Sequence, residues 1–181
     1  MQSGSFTRRD LMFSLAAASS GLGMNAAAAE TSADQEISST APAIHQEVVF
    51  QARRERVYVA LTESRAFDRV VELSDAAQSG MVPSPVKPSQ IGRRAGTAFL
   101  LFGGYIAGLQ LELVRNQRIV QAWRTASWKA GEYSIAHFLL SDEGTGTRLV
   151  FDHQGFPATE AQHLAEGWHR NYWQPLAKSL A

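Results

Sequence analysis

Hydrophobic and polar positions change their period along this chain, and the changes mark its elements. Ile44 to Phe50 alternates, with Ile44, Val48 and Phe50 on one face, and predicts a first strand. Arg53 to Leu61 then places Val57, Ala60 and Leu61 at helical spacing, and a second short helix is expected over Ser64–Leu73. Ser74 to Gly92 holds Pro83, Pro85 and Pro88 and predicts an irregular excursion. From Thr97 the period of two returns. Strands are expected over Thr97–Phe102, Tyr105–Val114, Arg118–Ser127, Glu132–Leu140 and Thr147–Gln154, joined by short turns rich in Gly, Asn and Asp. In the second of these, Leu109, Leu111 and Leu113 face one way, and Gln110 and Glu112 the other. Such short connections imply an antiparallel meander.

After a Gly155-Phe156-Pro157 turn, Ala158 to Leu180 reads as one long amphipathic helix. Ala161, Leu164, Ala165, Trp168, Tyr172, Leu176 and Leu180 share one half of its wheel, and His163, Glu166, Arg170, Gln174 and Lys178 fill the other. Trp173 falls at the edge of the apolar arc, within reach of the Pro-rich excursion. Pro175 lacks the N–H that would bond residue 171 and is expected to bend the helix. The fold class is α+β, with a curved antiparallel sheet wrapped around a long C-terminal helix. That arrangement encloses an apolar cavity, so binding rather than chemistry is the leading expectation.

Ahead of this pattern the chain behaves differently. Residues 1–29 carry Arg8-Arg9 followed by Leu11 and Met12, then a modestly apolar stretch rich in Ala, Ser and Gly, then Ala26 to Ala29. This resembles a bacterial twin-arginine (Tat) signal, with Leu11 where that pattern has Phe or Leu. The resemblance implies passage through the Tat export machinery in the folded state, removal of the signal before Glu30, and work in the periplasm. The stretch is too short and too weakly apolar for a stable membrane span. Residues 30–43 are polar, hold too little apolar surface to fold and read as a linker. The domain is expected over 44–181.

Composition narrows the function. The chain has 181 residues, 17 basic and 17 acidic, and loss of residues 1–29 would leave 15 and 16. That balance provides no electrostatic grip on nucleic acid. Absence of cysteine removes disulfides, thiolate nucleophiles and thiolate metal sites. His163 and His169 are six apart, and His45, His137 and His153 form no ligand spacing, so no metal is expected. No G-x-G-x-x-G loop and no G-x-S-x-G elbow occurs, and no cofactor is expected.

Several segments in order across Ile44–Leu180 carry a family resemblance. They are Arg56-Val57-Tyr58-Val59-Ala60-Leu61-Thr62, Gly104-Tyr105-Ile106-Ala107-Gly108, Arg118-Ile119-Val120-Gln121-Ala122-Trp123-Arg124, Gly146-Thr147-Arg148-Leu149, His153-Gln154-Gly155 and Gly167-Trp168. Together they resemble the SRPBCC (START/Bet v1-like) superfamily, in its branch related to the activator of Hsp90 ATPase (AHSA1-like). The resemblance implies a helix-grip fold around a central cavity. A tryptophan common in the family after the second short helix is missing between Arg65 and Arg94, and the Pro-rich stretch is longer than usual. Fold alone does not fix activity, because the superfamily includes lipid and hormone binders, cyclases and co-chaperones. Hsp90 and ATP are not expected in the periplasm, so an exported member is not expected to partner Hsp90.

The candidate cavity residues are Leu109, Leu111, Trp123, Phe151, His153, Trp168 and Tyr172. His153 ends an apolar row with Leu149 and Phe151. It either orients a ligand or serves as acid/base near neutral pH, or it is a structural histidine bonded to a loop carbonyl. Trp123 and Arg124 lie on opposite faces of one strand, and only one can face the cavity. Trp168 and Tyr172 line either the cavity or a solid core, and a buried tyrosine hydroxyl needs a partner. Three functions follow: an exported binder of a hydrophobic small molecule or lipid, a cofactor-free cyclase or hydratase using His153, and an envelope interaction module with a closed interior.

Overall fold

The computed structural model describes residues 42–82 and 85–181. The expected signal at 1–29 with Arg8 and Arg9, nearly all of the expected linker, and Pro83 of the excursion lie outside the described residues.

Strand β1 (Ala43–Phe50) leads into helices α1 (Arg54–Thr62) and α2 (Ser64–Glu72), where the periodicity expects them. α1 buries Val57, Ala60 and Leu61, and α2 buries Phe67, Val70 and Val71. The excursion is more ordered than its prolines suggest. It holds a one-turn helix α3 (Asp75–Gln78), capped by Ser74, whose Oγ accepts from the Ala77 N–H at 3.3 Å. It returns through the two-residue strand β2 (Gln90–Ile91), tied to α2 by Asp68 and Ser64, which accept from the N–H groups of Ser89 and Ile91.

The remaining strands are β3 (Ala98–Leu101), β4 (Ile106–Val114), β5 (Arg118–Thr125), β6 (Ser134–Glu143) and β7 (Gly146–Gln154). All seven strands form one antiparallel sheet in the order β1-β7-β6-β5-β4-β3-β2. The meander therefore holds, with β1 added on the far side of β7. The sheet wraps the C-terminal helix, and the fold is the expected α+β helix-grip.

One strand corrects the reading of the pattern. Leu109 and Leu111 do not face inward: they are 41% and 44% exposed, while Gln110 between them is completely buried. Two features set this phase. Gly108 faces in beneath the Phe99 ring, where a Cβ would sit 2.4 Å from Phe99 Cζ and 2.0 Å from the Ala122 carbonyl oxygen. No larger residue fits there, so the strand must turn its leucines outward. A bulge then falls between Gln110 and Glu112 and shifts the register, so that Leu113 packs on the core although Leu111 does not. The buried Gln110 is matched by Gln121 opposite it, whose amide donates to Gln110 Oε1 at 3.2 Å.

The C-terminal element is helical throughout but not one uniform α-helix. A short 3₁₀ turn (Ala158–Glu160) precedes α4 (Ala161–Trp168), a π-helical turn follows over His169–Trp173, and α5 (Gln174–Leu180) completes it. Pro175 sits in the first turn of α5, immediately after the widened turn that spares its missing N–H. The wider turn brings Tyr172 and Trp173 both into the core, two neighbours that an α-helix separates by about 100°. Trp173 is thus not at an edge. It stacks on Trp168 with centroids 5.6 Å apart, and its indole N–H donates to Gln46 Oε1 of β1.

Candidate functional site

A cavity of about 100 Å³ opens between the C-terminal helix, the sheet and the excursion. Its helix wall is built at intervals of four residues: His163, Gly167 and Asn171 form one row, Leu164, Trp168 and Tyr172 the next. The sheet contributes Trp123 and Thr125 of β5, and Ile106 at the start of β4. Ala76, Met81 and Val82 of the excursion and Phe102 with Tyr105 before β4 complete it. Met81 and Tyr105 are exposed and stand at the mouth, while Val82 and Phe102 are buried.

Two backbone features keep this space open. Gly167 lies inside α4, where glycine costs a helix roughly 1 kcal/mol relative to alanine. A Cβ at Gly167 would meet nothing within 4 Å, so the residue opens onto free volume rather than making a close packing contact. Phe102 holds φ = 52°, a conformation that bulky residues rarely adopt, ahead of Gly103 and Gly104, both also left-handed. This turn presses Phe102 edge-on against Phe67 (5.8 Å) and tilts it onto Tyr172 (5.4 Å). Strain of this kind persists where the surrounding packing demands it.

The polar groups sort into two sets. His153, completely buried, is saturated: Trp168 Nε1–H donates to its Nδ1 at 3.0 Å, which leaves the ring proton on Nε2. Nε2–H then donates to Ser134 Oγ at 2.6 Å, and the Ser134 hydroxyl donates to the Trp123 carbonyl at 2.9 Å. Burial pushes the imidazole down to about 3. His153 does not line the cavity, and with both nitrogens committed it is not available as an acid/base there. The partners of His153 are Trp168 and Ser134, not the loop carbonyl that the structural reading expects.

The second set is poorly satisfied. The Trp123 indole N–H and the Tyr172 hydroxyl are buried side by side in the cavity wall, with no third group in hydrogen-bonding geometry to either. Burial pushes the tyrosine up, and its hydrogen bond with the Trp123 side chain acts in the opposite direction. Ser89 Oγ, Gln110 Nε2 and Trp128 Nε1 are also unpartnered, but none of these residues lines the cavity.

Of the seven candidates, the structure therefore brings Trp123, Trp168 and Tyr172 to one cavity. Phe151 is a core residue 4.3 Å from the Trp168 ring centroid, and Leu109 and Leu111 lie on the opposite face of the sheet. Trp123, not Arg124, is the inward member of its pair. Arg124 instead lies over the Tyr133 ring and donates to the Trp128 carbonyl. Gly167, Asn171, His163 and Val82 are not among the cavity residues expected from the sequence. Gly167 inside an apolar helical pattern is the one signal that could have pointed to the opening. Among the described residues, no three His, Asp or Glu side chains converge as metal ligands, and no helix is long and apolar enough to cross a membrane.

Comparison with known proteins agrees with this architecture. The profile of the family described as "Activator of Hsp90 ATPase homolog 1-like protein" matches residues 51–181. The human activator of 90 kDa heat shock protein ATPase homolog 1 is 27% identical over 93 residues, which cover 51% of this chain and 28% of that protein. An uncharacterized protein of Schizosaccharomyces pombe is 33% identical over 89 residues, covering 49% of this chain and 26% of its own length. The chain thus matches little more than a quarter of these relatives. Among solved structures, an HSP90 activator from Plasmodium falciparum superposes with a TM-score of 0.62 at 20% identity, covering 73% of this chain and 91% of that one. CalU16 from Micromonospora echinospora superposes with a TM-score of 0.60 at 19% identity, covering 77% and 76%. At these identities the structures speak for the fold alone.

Proposed function

Because the chain belongs to the activator of Hsp90 ATPase homolog 1-like family, with its helix-grip fold, we propose that it is an exported binding protein for an apolar or amphipathic small molecule. The observation that carries this reading is the cavity of about 100 Å³ walled by Trp123, Trp168, Tyr172 and Phe102 and kept open at Gly167. Apolar burial supplies the affinity, about 25 cal/mol per Å² of ligand surface removed from water before association costs. Arg8 and Arg9 direct export through the Tat machinery, and the protein acts in the periplasm. No cofactor enters this account. Nor does Hsp90: the relatives named as its activators match this chain over 28% of the human protein's length, and an exported protein does not meet it.

The cyclase or hydratase alternative loses its named base, because His153 is buried, neutral and doubly bonded. A protein-interaction role keeps one specific support. Leu100, Leu109 and Leu111 are exposed on β3 and β4, on the face turned away from the helix. Native mass spectrometry of the mature protein, purified gently from the periplasm, tests the binding reading. A stoichiometric small molecule released on denaturation is the expected result. A ligand-free mass that persists after incubation with envelope lipid extract would favour the interaction module.

A further inference from the structure

The two edges of the sheet differ. At one end β2 is two residues long and follows Pro88, and short strands and prolines are the usual means of blunting an edge. At the other end β1 runs for eight residues in unbroken register with β7, without a bulge, a lysine or an internal proline. Among the described residues β1 pairs with β7 alone, so alternate residues along it turn their backbone N–H and C=O groups away from the sheet. This edge is also held in place. Gln46 donates to the Ala165 carbonyl of α4 and accepts from the Trp173 indole. On the outer face His45 bonds to Asp152 at 2.7 Å, and Glu47 accepts from Arg148.

We infer that β1 is a docking edge for a second copy of this chain, added antiparallel about a two-fold axis at Gln46 to make one continuous sheet. The residues of β1 are self-complementary about that centre. Ala43 falls opposite Val49 of the second copy, Ile44 opposite Val48, His45 opposite Glu47 and Gln46 opposite itself. Apolar residues thus meet apolar residues on both faces, and the symmetry makes the imidazole–carboxylate contact twice. The hydrogen bond to Asp152, with a further contribution from Glu47, raises His45 above its ordinary value and favours its charged form. Neighbouring registers lack this match. A shift of one residue sets inward side chains against outward ones. An axis at His45 or at Glu47 opposes like groups, imidazole to imidazole or carboxylate to carboxylate. A contact one strand wide is smaller than a standard stable interface, so the dimer is concentration-dependent.

Sedimentation equilibrium of the protein purified from cells, at pH 6 and from about 5 to about 500 µM, should show a reversible monomer–dimer equilibrium. Glu47→Lys and His45→Glu each oppose like charges twice per dimer and should weaken it at least about tenfold. An equimolar mixture of the two variants should recover the association, because each contact then joins opposite charges. The natural chain has no cysteine, so the register can be read by cross-linking. Ala43 and Val49 are both exposed on the outer face of β1. Ala43→Cys/Val49→Cys should give disulfide-linked dimers on mild oxidation, since opposite positions bring Cβ atoms to about 4.5–5.5 Å. Within one strand the two sites are about 20 Å apart and cannot bridge, and neither single variant should link. A monomer at every concentration would overturn the dimer and leave the edge to another occupant. Equal linking by a single-cysteine variant, or charge variants that associate as the natural chain does, would overturn it as well. None of these outcomes depends on whether the cavity holds a ligand.

Discussion

His153 shows how much a single residue's environment changes its meaning. Its ring accepts from Trp168 and donates to Ser134, and burial holds it neutral with a value near 3, against an ordinary 6.5. The unfolded chain binds a proton below about 6.5 that the folded chain refuses until about 3. Stability therefore falls as the solution is acidified through that window, by up to about 1.4 kcal/mol per pH unit. Urea denaturation at pH 7 and pH 5, above the range where most carboxylates titrate, should show this loss. His153→Gln should be less stable at pH 7 but should not lose stability across the same interval, where His45, raised by its hydrogen bond to Asp152, acts in the opposite direction, and an equal slope in both proteins would refute the assignment. Trp168→Phe leaves His153 Nδ1 without its donor and should cost about 1–3 kcal/mol. In the sequence His153 ends an apolar row, with ligand-orienting, acid/base and structural readings all open. The alternation placed it on the inner face correctly but could not name Ser134, nineteen residues earlier, as its partner.

At the scale of elements, period and turn chemistry carried most of the reading. β1, α1, α2 and the five later strands lie within a few residues of their expected places. Misplacements arose where a local exception outranked the pattern. Gly108 and the bulge before Glu112 turned Leu109 and Leu111 outward, although three alternating leucines argued for the core. The π-helical turn ahead of Pro175 brought Trp173 inward from the edge of an ideal wheel. Both corrections are testable. Leu109→Gln and Leu111→Gln should each change stability by less than about 0.5 kcal/mol in thermal unfolding, as surface substitutions do. A loss of 2 kcal/mol or more would return those leucines to the core. Gly108→Ala should cost about 3 kcal/mol or more, because its methyl group meets the backbone at Ala122 and the Phe99 ring.

The whole molecule joins a family fold to a small pocket under the C-terminal helix, where the sequence leads to the expectation of an enclosed central cavity. Trp123, Trp168 and Tyr172 were legible as large apolar-face residues of β5 and the last helix. The helix row through His163, Gly167 and Asn171 was not, because on the wheel it flanks the apolar half, and only Val82 and Phe102 folding over it make a chamber. Export is argued at this scale too. Replacing Arg8 and Arg9 together by lysine should leave the uncleaved chain in the cytoplasm on fractionation, and undiminished periplasmic protein would contradict the export assignment. The central claim is that the chamber is occupied by a ligand, and Gly167 offers the most direct control. Gly167→Leu adds a side chain at a lining position where a Cβ meets nothing within 4 Å, and it improves helix propensity, so it should fold while narrowing the chamber. Native mass spectrometry of both proteins purified side by side should show a stoichiometric small molecule on the natural protein and none on Gly167→Leu. The same bound mass on both, or no bound molecule on either, would contradict the account.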